Sequence, residues 1–255
     1  MRSHFNRIIN NKLSLLMFTI IILIPLFDLF QLIKSSNLFN IIYHPAFASF
    51  LSGAARGHAA QILLLWFLPL YFLLFVADDP IQDYKTGYRY ILISKLGKKK
   101  YCLEKLMSSF IFSFSAMSIS LLINFEIAYT VFYGGTYNND LSKINLSNNM
   151  LFNISIDHPY IAYLCFALIC CTMAGCAGLL GASLSLFFLD REYVYPATFF
   201  IWFLMVLKQH SLMYLFQPFA EYGFDILIPI FILAILVFSI IPALVFIYEV
   251  KVDEN

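Results

Sequence analysis

Charge is the scarcest resource in this sequence: Asp, Glu, Lys and Arg make up only 12% of 255 residues, about half of what a soluble domain carries. Several chemical signatures are missing as well. No Gly-rich phosphate loop ends in Gly-Lys-Ser/Thr, and "LGKKKY" has neither the spacing nor the hydroxyl, so the chain has no means of hydrolysing ATP itself. The five histidines, His4, His44, His58, His158 and His210, are scattered without the His-Glu-x-x-His spacing of a zinc site, and no serine-hydrolase elbow is present. Of five cysteines, Cys165, Cys170, Cys171 and Cys176 crowd into one apolar run and Cys102 stands apart, a pattern that suits neither a disulfide scaffold nor a metal centre. No catalytic residue, metal or cofactor of the chain's own is expected, and no nucleic-acid partner.

What fills the sequence is apolar side chain, with 28 Phe, 16 Tyr and 61% hydrophobic residues. Crossing about 30 Å of hydrocarbon takes roughly 20 apolar residues in a helix. Six runs are long enough: Leu13 to Ile33, Ala59 to Ala77, Leu106 to about Phe125, Tyr160 to Leu189, Val194 to about Phe216, and Ile226 to Tyr248. The expected fold is therefore all-α, a single polytopic membrane domain over 1–255 with six transmembrane helices. Twelve of the sixteen basic residues (Arg2, Arg7, Lys12, Lys85, Arg89, Lys95, Lys98, Lys99, Lys100, Lys105, Arg191, Lys251) fall on one side of such a bundle, and Lys34, Arg56, Lys143 and Lys208 on the other. By the positive-inside rule both termini are cytoplasmic, and the location is the cell membrane, in a bacterium the cytoplasmic one. The opening "MRSHFNRIINNK" predicts an amphipathic interfacial helix over 1–12. Lys34 to His58 and 133–159 read as outer connections, the second rich in Asn, Ser and Gly.

Much of the scarce charge gathers in one segment, 78–105, "DDPIQDYKTGYRYILISKLGKKKYCLEK". Its acidic front and basic rear suit a short helix, with Asp79 as cap and Pro80 at the first helical position. Gly87 ends or bends that helix and Gly97 turns the chain into the third span. An acidic residue (Asp83), a Gly-Tyr pair (Gly87-Tyr88), the run Ile91 to Ser94, the cluster Lys98 to Lys100, then Tyr101 and Lys105, all between the second and third spans, resemble the permease subunits of type-2 ATP-binding-cassette (ABC) transporters. That resemblance implies an exporter of an amphipathic peptide, drug or lipid. It implies a coupling helix within 78–105 that docks on a separate ABC ATPase subunit holding ATP and Mg. It implies a second permease copy or a paralogue beside this one. The coupling residues it points to are Asp83, Gly87, Tyr88, Arg89 and Lys105, with a smaller contact at Asp190 and Arg191 in "DREYV". Two other readings stay open: a basic loop attracted to anionic lipid, and a non-transporting immunity or scaffold protein that binds partners through it.

Two further groups stand out. Asp28, Glu126, Lys208 and His210 sit toward the outer ends of spans, where Lys208 could pair with Asp28 or Glu126 in a polar patch, or Glu126 and Lys208 could simply snorkel to the headgroups. In "AGCAGLLGAS", Gly175, Gly178, Ala182 and Ser185 share one helical face that allows another helix to approach closely.

Overall fold

The computed structural model describes residues 10–39, 43–53, 59–135 and 149–251. Among them every regular element is helical. Four helices are long and apolar enough to cross a membrane: α1 (Lys12–Phe39), α5 (Lys98–Val131), α7 (Pro159–Phe188) and α9 (Phe224–Lys251). A bent pair, Ala59–Trp66 and Leu68–Ala77, makes α2, with a 56° break. Two short helices follow it, α3 (Asp79–Lys85) and α4 (Tyr88–Leu96), and α6 (Met150–Asp157) precedes α7. The remaining long helix, α8 (Arg191–Leu207), has 17 residues, about 25 Å at 1.5 Å per residue. These are the features of an all-α membrane protein.

The fifth apolar run does not continue as helix to Phe216. Four polar residues, Lys208 to Ser211, interrupt it: Lys208 is extended (φ −61°, ψ 151°), and Leu212–Phe216 form a 3-10 turn that tucks Leu212, Leu215 and Phe216 inside. The connection from Lys34 to His58 also departs from a plain loop. Lys34 to Phe39 prolong α1, and Pro45 to Leu51 are buried as a short helix and a 3-10 turn that re-enter the bundle. Of the expected loop at 133–159, residues 150–157 are helix α6, capped by Asn149, whose Oδ1 accepts from Phe152 N at 3.1 Å. The N-terminal interfacial helix falls mostly outside the described residues.

α7 is the most buried of the long helices, and its glycines explain why. A methyl group at Gly178 would stand 2.2 Å from Ser113 Oγ of α5, and one at Gly175 2.7 Å from the Phe110 ring. With no side chain in the way, Ser109 Oγ donates to the Gly178 carbonyl at 2.8 Å. On another face Gly181 lies against Leu73 and Ala77 of α2. Close helix packing of this kind is how an apolar bundle gains cohesion when lipid competes for the same surface.

Prolines inside helices leave carbonyls without a backbone donor, a cost that hydrocarbon makes severe. Each of two such carbonyls receives a side-chain donor. Pro25 frees the Ile21 carbonyl, which accepts from Ser120 Oγ at 2.7 Å. Asn124, one turn on in α5, donates to the Pro25 carbonyl at 2.9 Å and accepts from Phe50 N at 2.9 Å. Gln61 of α2 then donates to the Phe50 carbonyl, so four segments meet through one buried amide chain. At Pro69 the freed carbonyl is that of Leu65, and Trp202 Nε1 donates to it at 3.1 Å. Wide π turns at Ile62–Trp66 and Leu73–Ala77 flank this proline and absorb the bend.

Ser120→Ala should lower stability by about 1 kcal/mol, measured by thermal unfolding in detergent. In a Pro25→Ala background, where the Ile21 carbonyl regains a backbone donor, the same change should be nearly silent. Equal losses in both backgrounds would show that Ser120 does not serve the proline.

Candidate functional site

The charged segment 78–105 starts where α2 ends. α3 begins one residue earlier than a cap at Asp79 would place it: Asp79 is its first residue and Pro80 its second, with Asp78 at the cap position. The Asp78 carboxylate makes no cap bond, because it is committed elsewhere. Gly87, in the left-handed region at φ 71°, turns the chain from α3 into α4, and Gly97, at φ 80°, turns it into α5. A side chain at either position would meet open space but a strained backbone.

Three carboxylate–cation anchors fasten this segment to three different long helices. The first lies at α5, where Lys105 Nζ bonds both Asp79 and Asp83 of α3, the latter at 2.5 Å. Tyr101 Oη adds a donor to Asp83 Oδ2 at 3.2 Å. Asp83 is fully buried and Lys105 is 2% exposed. The second joins α4 to the last turn of α9: Glu249 Oε2 accepts from Arg89 Nη2 at 2.9 Å and lies 3.6 Å from Lys98 Nζ. The third ties the start of α3 to α8, with Arg191 donating to Asp78 Oδ2 from Nε at 2.8 Å and also from Nη2. A further pair, Lys85 with Asp190 at 3.6 Å, is more than half exposed on both sides and adds little. Breaking a buried pair from one side costs about 3–5 kcal/mol, since the surviving charge is stranded.

Of the coupling residues expected from sequence, Asp83, Arg89 and Lys105 thus turn inward, and Gly87 is the hinge between the two short helices. Arg191 completes an anchor, and Asp190, at the N-cap position of α8, makes no cap bond and pairs with Lys85 at the surface. Tyr88 faces out, 39% exposed, in the company of Tyr84, Tyr90 and Ile91. Lys99, Lys100 and Leu103 are exposed on the first turns of α5. Sequence reasoning missed Asp78, Asp79 and above all Glu249. Its signal was a lone acidic residue at the end of the last apolar run.

The other expected groupings fare differently. Asp28 is buried, whereas Glu126, Lys208 and His210 are exposed. Among the described residues none of those three forms an ion pair. The pairing of Lys208 with Asp28 or Glu126 is therefore corrected: Lys208 ends α8 in an extended conformation that carries it outward. Gly175, Gly178 and Ala182 lie inside, the first two against α5. Cys102, which stands apart from the other cysteines in sequence, is buried, and Cys165 is exposed. No group of His, Cys, Asp or Glu among the described residues is arranged to hold a metal ion.

One relative matches this sequence from end to end. It is "Uncharacterized protein YybM" of Bacillus subtilis (strain 168), 56% identical over 255 residues, all of this chain and all of the relative. The chain belongs to the YybM family. No protein-family model matches it, and no solved structure does.

Lys105 serves two carboxylates, so Lys105→Met should destabilise more than Asp83→Asn, which leaves the bond to Asp79 in place. Losses of about 3–5 kcal/mol for Lys105→Met are expected, read from thermal unfolding in detergent. A larger loss for Asp83→Asn would contradict the shared-ammonium geometry.

Proposed function

We propose that this chain is the permease subunit of an ATP-driven exporter of the type-2 ABC kind. In this reading α1, α2, α5, α7, α8 and α9 make six passes of the cell membrane, and both termini and the charged end face the cytoplasm. The position of the basic residues supports that orientation. ATP and Mg belong to a separate ABC ATPase subunit, and a second permease copy or a paralogue completes the pathway.

One observation carries the reading. A short helical pair is fastened by three ion-pair anchors to α5, α8 and α9, while Tyr84, Tyr88, Tyr90 and Ile91 stay exposed on it. An ATPase outside the membrane can move a helical bundle only through a stiff element fixed to several of its helices. Loose basic loops that merely attract lipid need no buried carboxylates. Asp83, Arg89 and Lys105 then act as braces within the coupling element, and the exposed tyrosines are its docking face, since aromatic anchors dominate protein interfaces. A cavity of about 330 Å³ beside the π turn of α2, lined by Gln61, Trp66, Ser211, Tyr214 and Gln217 among others, has the mixed character that suits an amphipathic substrate.

Co-expression with an ABC ATPase subunit tests this. Tyr88→Ala should reduce co-purified ATPase about tenfold or more while leaving the melting temperature unchanged, and Asp83→Asn should lower both. Recovery unaffected by Tyr88→Ala together with Tyr84→Ala would sink the docking assignment. An ATPase that never co-purifies would favour the immunity or scaffold reading. Orientation has its own test: cysteines replacing Lys99 and Tyr133 should be labelled from opposite faces of sealed vesicles, and labelling from one face would refute the six-pass arrangement.

A further inference from the structure

The cavity beside α2, about 330 Å³ in volume, has one polar residue set deep in its wall. Gln61 stands in the first turn of α2, at the end of the bundle away from the ion pairs, and is only 7% exposed. Its Nε2 is committed to the Phe50 carbonyl, which fixes the plane of the carboxamide. Among the described residues nothing donates to its Oε1, yet that oxygen is not sealed off. An occupant of the cavity can therefore reach it. Donation from Nε2 polarises the amide and makes the same group's oxygen a better acceptor. Buried polar atoms find partners as a rule, so the occupant is asked for an N–H or an O–H.

The rest of the lining limits what can carry that donor. No acidic side chain, lysine, arginine or histidine lines the cavity, and an ionised group inside it would go uncompensated. Ser211 is already spent: its hydroxyl donates to the Val206 carbonyl at 2.6 Å and accepts from Met213 N at 3.2 Å. Ile62, Leu65, Met213 and Phe216 offer apolar surface alone. A sugar would press hydroxyls against those walls with no partner for them, and a charged lipid headgroup would find no counter-charge.

These walls suit an uncharged N–H set beside an apolar side chain, which is the repeating pattern of an apolar peptide. The N–H meets Gln61 and the side chain lies against Leu65 and Phe216. Gln217 is exposed and offers a second carboxamide where the cavity meets the surface. The volume is at the small end of ligand pockets, which run from about 300 to 1,000 Å³, so there is room for a short stretch of chain and not for a folded partner. We propose that this cavity binds an uncharged, apolar stretch of peptide, one backbone N–H of which donates to Gln61 Oε1. Calling that peptide cargo rests on the exporter reading; the binding itself does not.

The test uses the full chain in vesicles, with no ATPase present. The probe is leucine with a photoactivatable diazirine on its side chain, blocked as the N-acetyl methylamide. Two analogues accompany it: the N-acetyl free acid, which is ionised, and a double ester of the same shape, which keeps both carbonyls and lacks both N–H groups. Mapped by mass spectrometry, the amide should label residues 61–66 and 211–217 about tenfold above the exposed flank of α1 around Leu23 and Phe30. The ester should label them about fivefold less than the amide, and the free acid about tenfold less. In Gln61→Met the amide and the ester should label equally, a ratio that a general loss of stability does not move. Met213→Trp, from the 3-10 turn, and Ile62→Trp, from α2, should each fill the cavity and remove the excess, with gel filtration verifying folding. Equal labelling by amide and ester in the native chain, or an excess retained in both tryptophan variants, would overturn the proposal. So would displacement of the probe by dioleoylglycerol, a neutral lipid whose hydroxyl would be the donor instead. Site labelling without any co-purifying ATPase would uphold the binding and refute the exporter reading, and the reverse outcome would refute the binding alone.

Discussion

The ammonium of Lys105 is what gives the charged end its shape. It sits almost without solvent exposure between Asp79 and Asp83, and a lone charge in that position would be untenable. Because α3 supplies both carboxylates, α3 is obliged to lie across the start of α5 with its acidic face down. Once α3 is placed, Gly87 directs α4 so that Arg89 reaches Glu249 on α9, and Asp78, at the junction with α2, meets Arg191 on α8. The helices that converge here are separated by up to 160 residues in the chain. Their register is set by charges that tolerate no slippage, which is the best-attested use of a buried ion pair.

The opposite half of the bundle is ordered by a different constraint, the need to satisfy every carbonyl in a medium without water. Asn124 and Ser120 stitch α1, α5 and the re-entrant turn together at Pro25, and Trp202 stitches α8 to α2 at Pro69. Where neither charge nor proline intervenes, contact is made by glycine: α7 meets α5 through Gly175 and Gly178 and α2 through Gly181. Aromatic rings fill the remaining volume near the far end, with Phe47 stacked on Phe219 at 4.0 Å and Phe125 on Tyr163 at 4.8 Å.

How much of this was visible in the sequence depends on how local each signal is. The long helices were legible because hydrocarbon thickness sets a length that composition must meet: α1, α5 and α9 contain their apolar runs, and α7 all of its run but Leu189. The charged segment was legible for the same reason in reverse. What could not be read was orientation: Asp83 and Tyr88 are five residues apart in one polar stretch, and only the distant positions of Lys105 and Glu249 decide that the first is buried and the second exposed. The re-entrant turn at Pro45 to Leu51 was hidden by brevity, being too short to register as an apolar run. The early end of α8 had a visible cause in Lys208 to Ser211, outweighed by the apolar residues on either side.

The partnership of Trp202 with the Leu65 carbonyl has a consequence on the evolutionary scale. Pro69 and Trp202 are independent letters in the sequence, but the helix break made by one leaves a carbonyl that the other's indole satisfies. A lineage that lost the tryptophan first would carry an open carbonyl in hydrocarbon, while one that lost the proline first would merely straighten a helix. The two losses are unequal in cost, because removing the tryptophan strands a carbonyl that removing the proline does not.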